Sequence, residues 1–160
     1  MITKRVPTFE RDQCGAALAE SAIALPLILV VFATIFTFGS TLFNTQVLET
    51  AARDAARYLA HTSTTSTDEA TARNIAVYAN AAGTGTARVR GLTTGAVGIT
   101  YVSVSNPTNP LTGERAYRGS DPLKMVRVNI SWTSPSGMWG LFGASPITYH
   151  AINEQRVIGD

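Results

Sequence analysis

From Gly15 to Phe43 the chain reads GAALAESAIALPLILVVFATIFTFGSTLF, and between Cys14 and Gln46 its only charge is Glu20. About 20 helical residues at 1.5 Å each cross a ~30 Å hydrocarbon core, so Ser21–Phe43 is long enough to span a bilayer. Lys4, Arg5 and Arg11 precede the run, which holds that end in the cytoplasm and sends the carboxyl end across. The small-residue junction Cys14-Gly15-Ala16-Ala17 stands before the run. A secretory signal places its cleavage site after a shorter apolar region.

What remains is bounded by size. Of 160 residues, about 100 follow the apolar run and its continuation, enough for one small domain. The formal net charge is +2 with the basic residues scattered, so no nucleic-acid footprint is formed. Cys14 is the single cysteine, which excludes an intrachain disulfide and a cysteine-based metal site. His61 and His150 are 89 positions apart and lack clustered ligand-type partners. Gly83-Thr84-Gly85 is neither preceded by a strand nor followed by a helix, so it is no phosphate-binding fingerprint. No nucleophile elbow, Walker motif or HExxH is present, and neither a cofactor nor enzymatic activity is expected.

The segment Gly15–Ala16-Ala17-Leu18-Ala19-Glu20 resembles leaders cut on the cytoplasmic side of the membrane, as in type IV prepilins. There the cut follows a glycine, and a glutamate stands fifth in the mature chain. Counted from Ala16, Glu20 is fifth. The residues that follow sharpen the likeness: Pro26 inside the apolar run, the pair Phe38-Gly39, and the Ala/Arg-rich Ala51-Ala52-Arg53-Asp54-Ala55-Ala56-Arg57-Tyr58. Together, over about 45 residues, they resemble the N-terminal signature of TadE-like proteins of tight-adherence (Tad) pilus systems. Ser21 departs from it, since many members carry an aromatic after the glutamate. The resemblance implies a minor pilin or pseudopilin processed by a prepilin peptidase between Gly15 and Ala16. Its partners would be other pilin or pseudopilin subunits and the pilus assembly machinery of the bacterial inner membrane. The C-terminal domain would then be periplasmic, with incorporation into a cell-surface pilus as one outcome.

The physics of Glu20 suits that role. A carboxylate inside a membrane helix costs on the order of 3 kcal/mol, so it needs a partner or a wet site. Cutting after Gly15 creates an α-amino cation at Ala16, about one helical turn from Glu20. One subunit's Glu20 is then expected to pair with a neighbour's Ala16 amine and set axial register. The alternative is a hydrated, idle carboxylate at headgroup level. Ala16, Ala17, Ala19, Ala22 and Ala24 permit close helix approach in lipid.

Beyond the span, Val47, Leu48, Ala51, Ala52, Ala55, Tyr58 and Leu59 recur on one face of a 3.6-residue period. Glu49/Arg53 and Asp54/Arg57 have the spacing of supporting ion pairs on the other face. This predicts one helix over Ala16–Ala60, near 65–70 Å at 1.5 Å per residue, bent where Pro26 lacks its amide hydrogen. The organisation read here is a leader over 1–15, a transmembrane and stalk helix over 16–60, and a small α+β domain over 61–160.

Within that domain a second helix is expected, with Ser66 as N-cap, Glu69 closing a capping box, Ile75, Tyr78 and Ala79 on its apolar face, and Gly83 as its stop. A short strand is read around Ala87–Arg90. Three further strands are read at Ile99–Val104, Met125–Trp132 and Ile147–Glu154. A meander of these packed on the stalk gives an α+β, pilin-like fold. Asn106–Lys124 is a charged loop without periodicity. Met138, Trp139, Leu141 and Phe142 form an apolar turn, read either as a plug for the core or as a partner patch. The rival to the pilin-like reading is an uncleaved single-pass anchor displaying a periplasmic binding domain. A tethered enzyme is the third possibility.

Overall fold

The computed structural model describes residues 10–62, 65–119, 121–135, 140, 143 and 145–158. Helix α1 spans Glu10–Ala60, beginning six residues before the expected Ala16 and running unbroken through Pro26. The chain divides into two compact units, Met1–Ser40 and Thr41–Asp160.

The second unit is built on the last third of α1. Leu48, Ala51, Ala52, Ala55, Ala56, Leu59 and Ala60 are all buried there, and Val47 and Tyr58 pack at the margin. The expected stripe therefore lies on the chain's own domain, widened by Ala56. Alanines at this density leave room for a close-packed partner, while Leu48 and Leu59 each contribute roughly 2 kcal/mol by burial. Glu49, Arg53 and Arg57 are exposed on the opposite face.

Helix α2 spans Ser66–Tyr78. Its cap is Thr65, one residue before the expected Ser66. The Thr65 hydroxyl accepts from the Asp68 amide, and the Asp68 carboxylate accepts from the Thr65 amide at 3.0 Å. The buried face is Ala72, Ala76 and Val77, not the expected set: Ile75 and Tyr78 are half-buried and Ala79 is exposed. The helix also stops before Gly83. Ala79 takes the left-handed conformation at φ 61° and donates to Ile75 O, ending the ladder four residues early.

No strand forms at Ala87–Arg90. That stretch crosses the core as irregular backbone, fixed by buried Val89 and Leu92 and by the Arg88 amide on Val77 O at 2.7 Å. A single 3-10 turn at Thr94–Ala96 leads into the sheet.

Strands β1 (Val97–Val104), β2 (Leu123–Ser134) and β3 (Ile147–Arg156) form an antiparallel sheet in the order β1-β2-β3. Each includes its expected residues and extends two to four beyond them. Val126, Val128, Ile130 and Trp132 alternate inward along β2 and meet Val97 and Ala151 in the core shared with α1 and α2. Trp132 faces Tyr149 across the ladder with ring centroids 6.1 Å apart, and its indole donates to Arg90 O at 3.0 Å. The outer face is polar, held by Arg127–Glu154, Ser131–His150 and Thr133–Thr148 pairs. The architecture is α+β, a long N-terminal helix packed on a small sheet.

Candidate functional site

Among the described residues, the first unit is a single helix without a buried side chain. Leu25, Leu27, Ile28, Leu29, Val30 and Val31 are consecutive or nearly so, hence point in every direction around the axis, and all are exposed. On either side of that run, Ile23 and Phe36 are 77% and 79% exposed. A helix apolar on all sides must be covered by lipid or by other helices. Gly15–Ala60 contains a stretch long and apolar enough to cross a membrane.

The hydroxyls on that helix are turned inward on their own backbone. Ser21 Oγ donates to Ala17 O at 2.8 Å and Thr34 Oγ1 to Val30 O at 2.7 Å. In hydrocarbon such bonds remove the penalty of an unpaired donor. Glu20 is different: it is exposed and no protein group holds it among the described residues. One helical turn separates it from Ala16, which is also exposed, as is Gly15. An added methyl at Gly15 would meet nothing within 4 Å. Pro26 lies six residues beyond Glu20 and leaves Ala22 O without its usual donor.

Met138, Trp139, Leu141 and Phe142 lie outside the described residues. The two histidines are apart: His61 sits in the turn after α1, and His150 is on the outer sheet face, its Nδ1 2.9 Å from Ser131 Oγ. In the 106–124 loop Asp121 is engaged by the Asn106 amide at 2.8 Å, while Glu114 is exposed. Among the described residues no group of three or more His, Cys, Asp or Glu is placed to share a metal ion.

Two anchors of the domain were not legible from spacing. Arg88 reaches Asp54 on α1 at 2.8 Å, taking the partner that the helical spacing assigned to Arg57. Asn106 is buried: its side chain donates to Tyr117 O at 2.8 Å and accepts from the Tyr117 amide at 3.1 Å, fixing the loop. The only signal in the sequence was an asparagine directly before Pro107, two residues after a strand.

Residues 15–57 match the family model described as TadE-like protein, which covers the apolar helix and most of the stalk. No curated protein and no solved structure matches the chain.

Proposed function

We propose that the chain, whose residues 15–57 match the TadE-like model, is a membrane-anchored protein related to Tad pili and acts as a minor pilin or pseudopilin. It is a structural subunit that works by association and not by catalysis. A prepilin peptidase removes residues 1–15, and the helix from Ala16 onward packs laterally against other pilus subunits. Glu20 pairs with the Ala16 amine of a neighbour, which neutralises a carboxylate otherwise costly in lipid. The N-terminal end is cytoplasmic and the domain periplasmic, following Lys4, Arg5 and Arg11.

The observation that carries this reading is the all-round exposure of the apolar helix with a single carboxylate one turn beyond the Gly15–Ala16 junction. The test is the intact mass of the protein expressed with its peptidase. A product beginning at Ala16, with assembly lost in Glu20→Ala, supports it. A full-length product, or a freely replaceable Glu20, overturns it.

One observation favours a second reading. Helix α1 begins at Glu10 and crosses the junction without a break, so the bond to be cut lies within helix. An uncleaved anchor displaying the domain has that property, and the same mass measurement separates the two.

A further inference from the structure

Helix α1 begins at Glu10 and passes through the Gly15–Ala16 bond without a break, so that bond lies in its second turn. In this conformation the Gly15 carbonyl accepts from the Ala19 amide, and the Ala16 amide donates to Asp12 O. Hydrolysis needs both groups free. Water adds to the Gly15 carbonyl carbon, charge gathers on its oxygen, and the Ala16 nitrogen takes a proton as the C–N bond breaks. The products are a Gly15 carboxylate and an Ala16 ammonium. A protease therefore acts on this bond only after the turn that holds it has opened. Where opening and closing outpace cutting, the rate follows the population of the open turn.

Nothing steric requires a glycine at position 15. An added methyl would meet nothing within 4 Å, and the backbone there does not take a positive φ. What glycine does contribute is a weaker ladder, since it gives up more backbone freedom on entering a helix than any other residue. The sequence changes character at the same place. Of the four residues before the bond, Asp12, Cys14 and Gly15 stand low among helix formers. Ala16, Ala17, Leu18, Ala19 and Glu20, which follow it, are among the highest. Unwinding that starts at Glu10 is resisted least up to Gly15 and is arrested by the alanines beyond.

We infer that Gly15 is the hinge at which α1 opens, and that it governs leader removal through the stability of the first turns of the helix. The inference rests on the reading of the chain as a substrate of a prepilin peptidase. It accounts for a helix that runs across its own cleavage point: the closed turn shields the bond, and the protease takes the open one. Residues 10–15 are the part that must melt. From Ala16 onward the helix is kept, so the new end of the chain is helical as soon as it is made.

The experiment uses the full chain in membranes with its prepilin peptidase and follows intact mass against time. Alanine at 15 strengthens the closed turn, so Gly15→Ala is expected to slow removal of residues 1–15 about fivefold. Gly15→Ala/Gln13→Gly returns a glycine to the melting segment and should recover the parental rate to within about twofold. Gly39→Ala, the same exchange at the other glycine of α1 with nothing within 4 Å, should change nothing. Hydrogen exchange at residues 14–17 reads the opening itself, slower in Gly15→Ala and near the parental rate in the double variant. A Gly15→Ala chain cut at the parental rate overturns the inference. So does a double variant that stays slow, or slow cutting with unchanged exchange, since either makes the glycine a matter of fit to the protease. A parent chain that keeps its leader overturns the peptidase reading and the hinge with it.

Discussion

The Arg88 guanidinium sits 2.8 Å from Asp54 Oδ2 and ties the irregular segment after α2 back onto the stalk helix, 34 residues earlier. Arg88 is 18% exposed and Asp54 42%, so the pair is only partly screened by water. Replacing Arg88 by Ala is expected to cost about 1 kcal/mol of domain stability. A double-mutant cycle with Asp54→Asn, read by thermal melting in detergent, checks it. Arg57→Ala should be silent in the same assay.

The helix–sheet seam tolerates no bulk. Ala55 and Ala56 are fully buried beneath the sheet. Ala55→Leu forces the helix off its seat and is expected to destabilise the domain by about 3 kcal/mol. Chemical denaturation monitored by Trp132 fluorescence measures this, with Arg53→Leu on the exposed face as the control that changes little.

Thr65 and Asp68 cap α2 reciprocally, and Thr65→Ala is expected to cost about 1 kcal/mol. The Thr65 hydroxyl, then its amide, hold the Asp68 carboxyl below the usual aspartate value of 3.8. Its ionised form is favoured by folding, so its contribution is complete above pH 3.8 and is lost as the pH falls through the depressed native value. The stability gap between the parent and Asp68→Asn should close on acidification, which a pH series of melts would record.

Asn106→Ala leaves Tyr117 N–H and C=O without their partner beside a buried site. A loss of about 2 kcal/mol is expected. Hydrogen exchange should accelerate across the loop up to Asp121, while the seam amides of α1 keep their protection.

Much of the fold was legible because it is periodic. The stalk stripe announced itself at 3.6 residues, and Met125–Trp132 alternated as a half-buried strand must. Capping was legible in kind but not in frame. Thr65-Ser66-Thr67-Asp68 and Ser66-Thr67-Asp68-Glu69 both satisfy the capping-box pattern, and only the backbone chooses between them. Ala87–Arg90, read as a short strand, joins no ladder: Val89 is buried and the Trp132 indole takes Arg90 O instead. The Arg88–Asp54 tie was invisible since nothing local relates residues so distant in sequence. Of the candidate site, the apolar helix was legible from composition, whereas Glu20 was singled out by its spacing from Gly15 and by the TadE-like resemblance. The order and register of the strands were not legible, because they are tertiary facts.

The way α1 enters the domain decides how the molecule bears tension. A pull on the membrane helix passes along Leu48, Ala51, Ala55 and Leu59, which lie against the sheet over several turns, so these contacts must slide together and cannot be peeled one at a time. The Ile158 amide on Ala60 O then fastens the far end of that helix to the strand carrying the C-terminal residues. A load applied along the Thr41–Ala60 helix is therefore shared between its buried stripe and the C-terminal segment and not borne by a single loop.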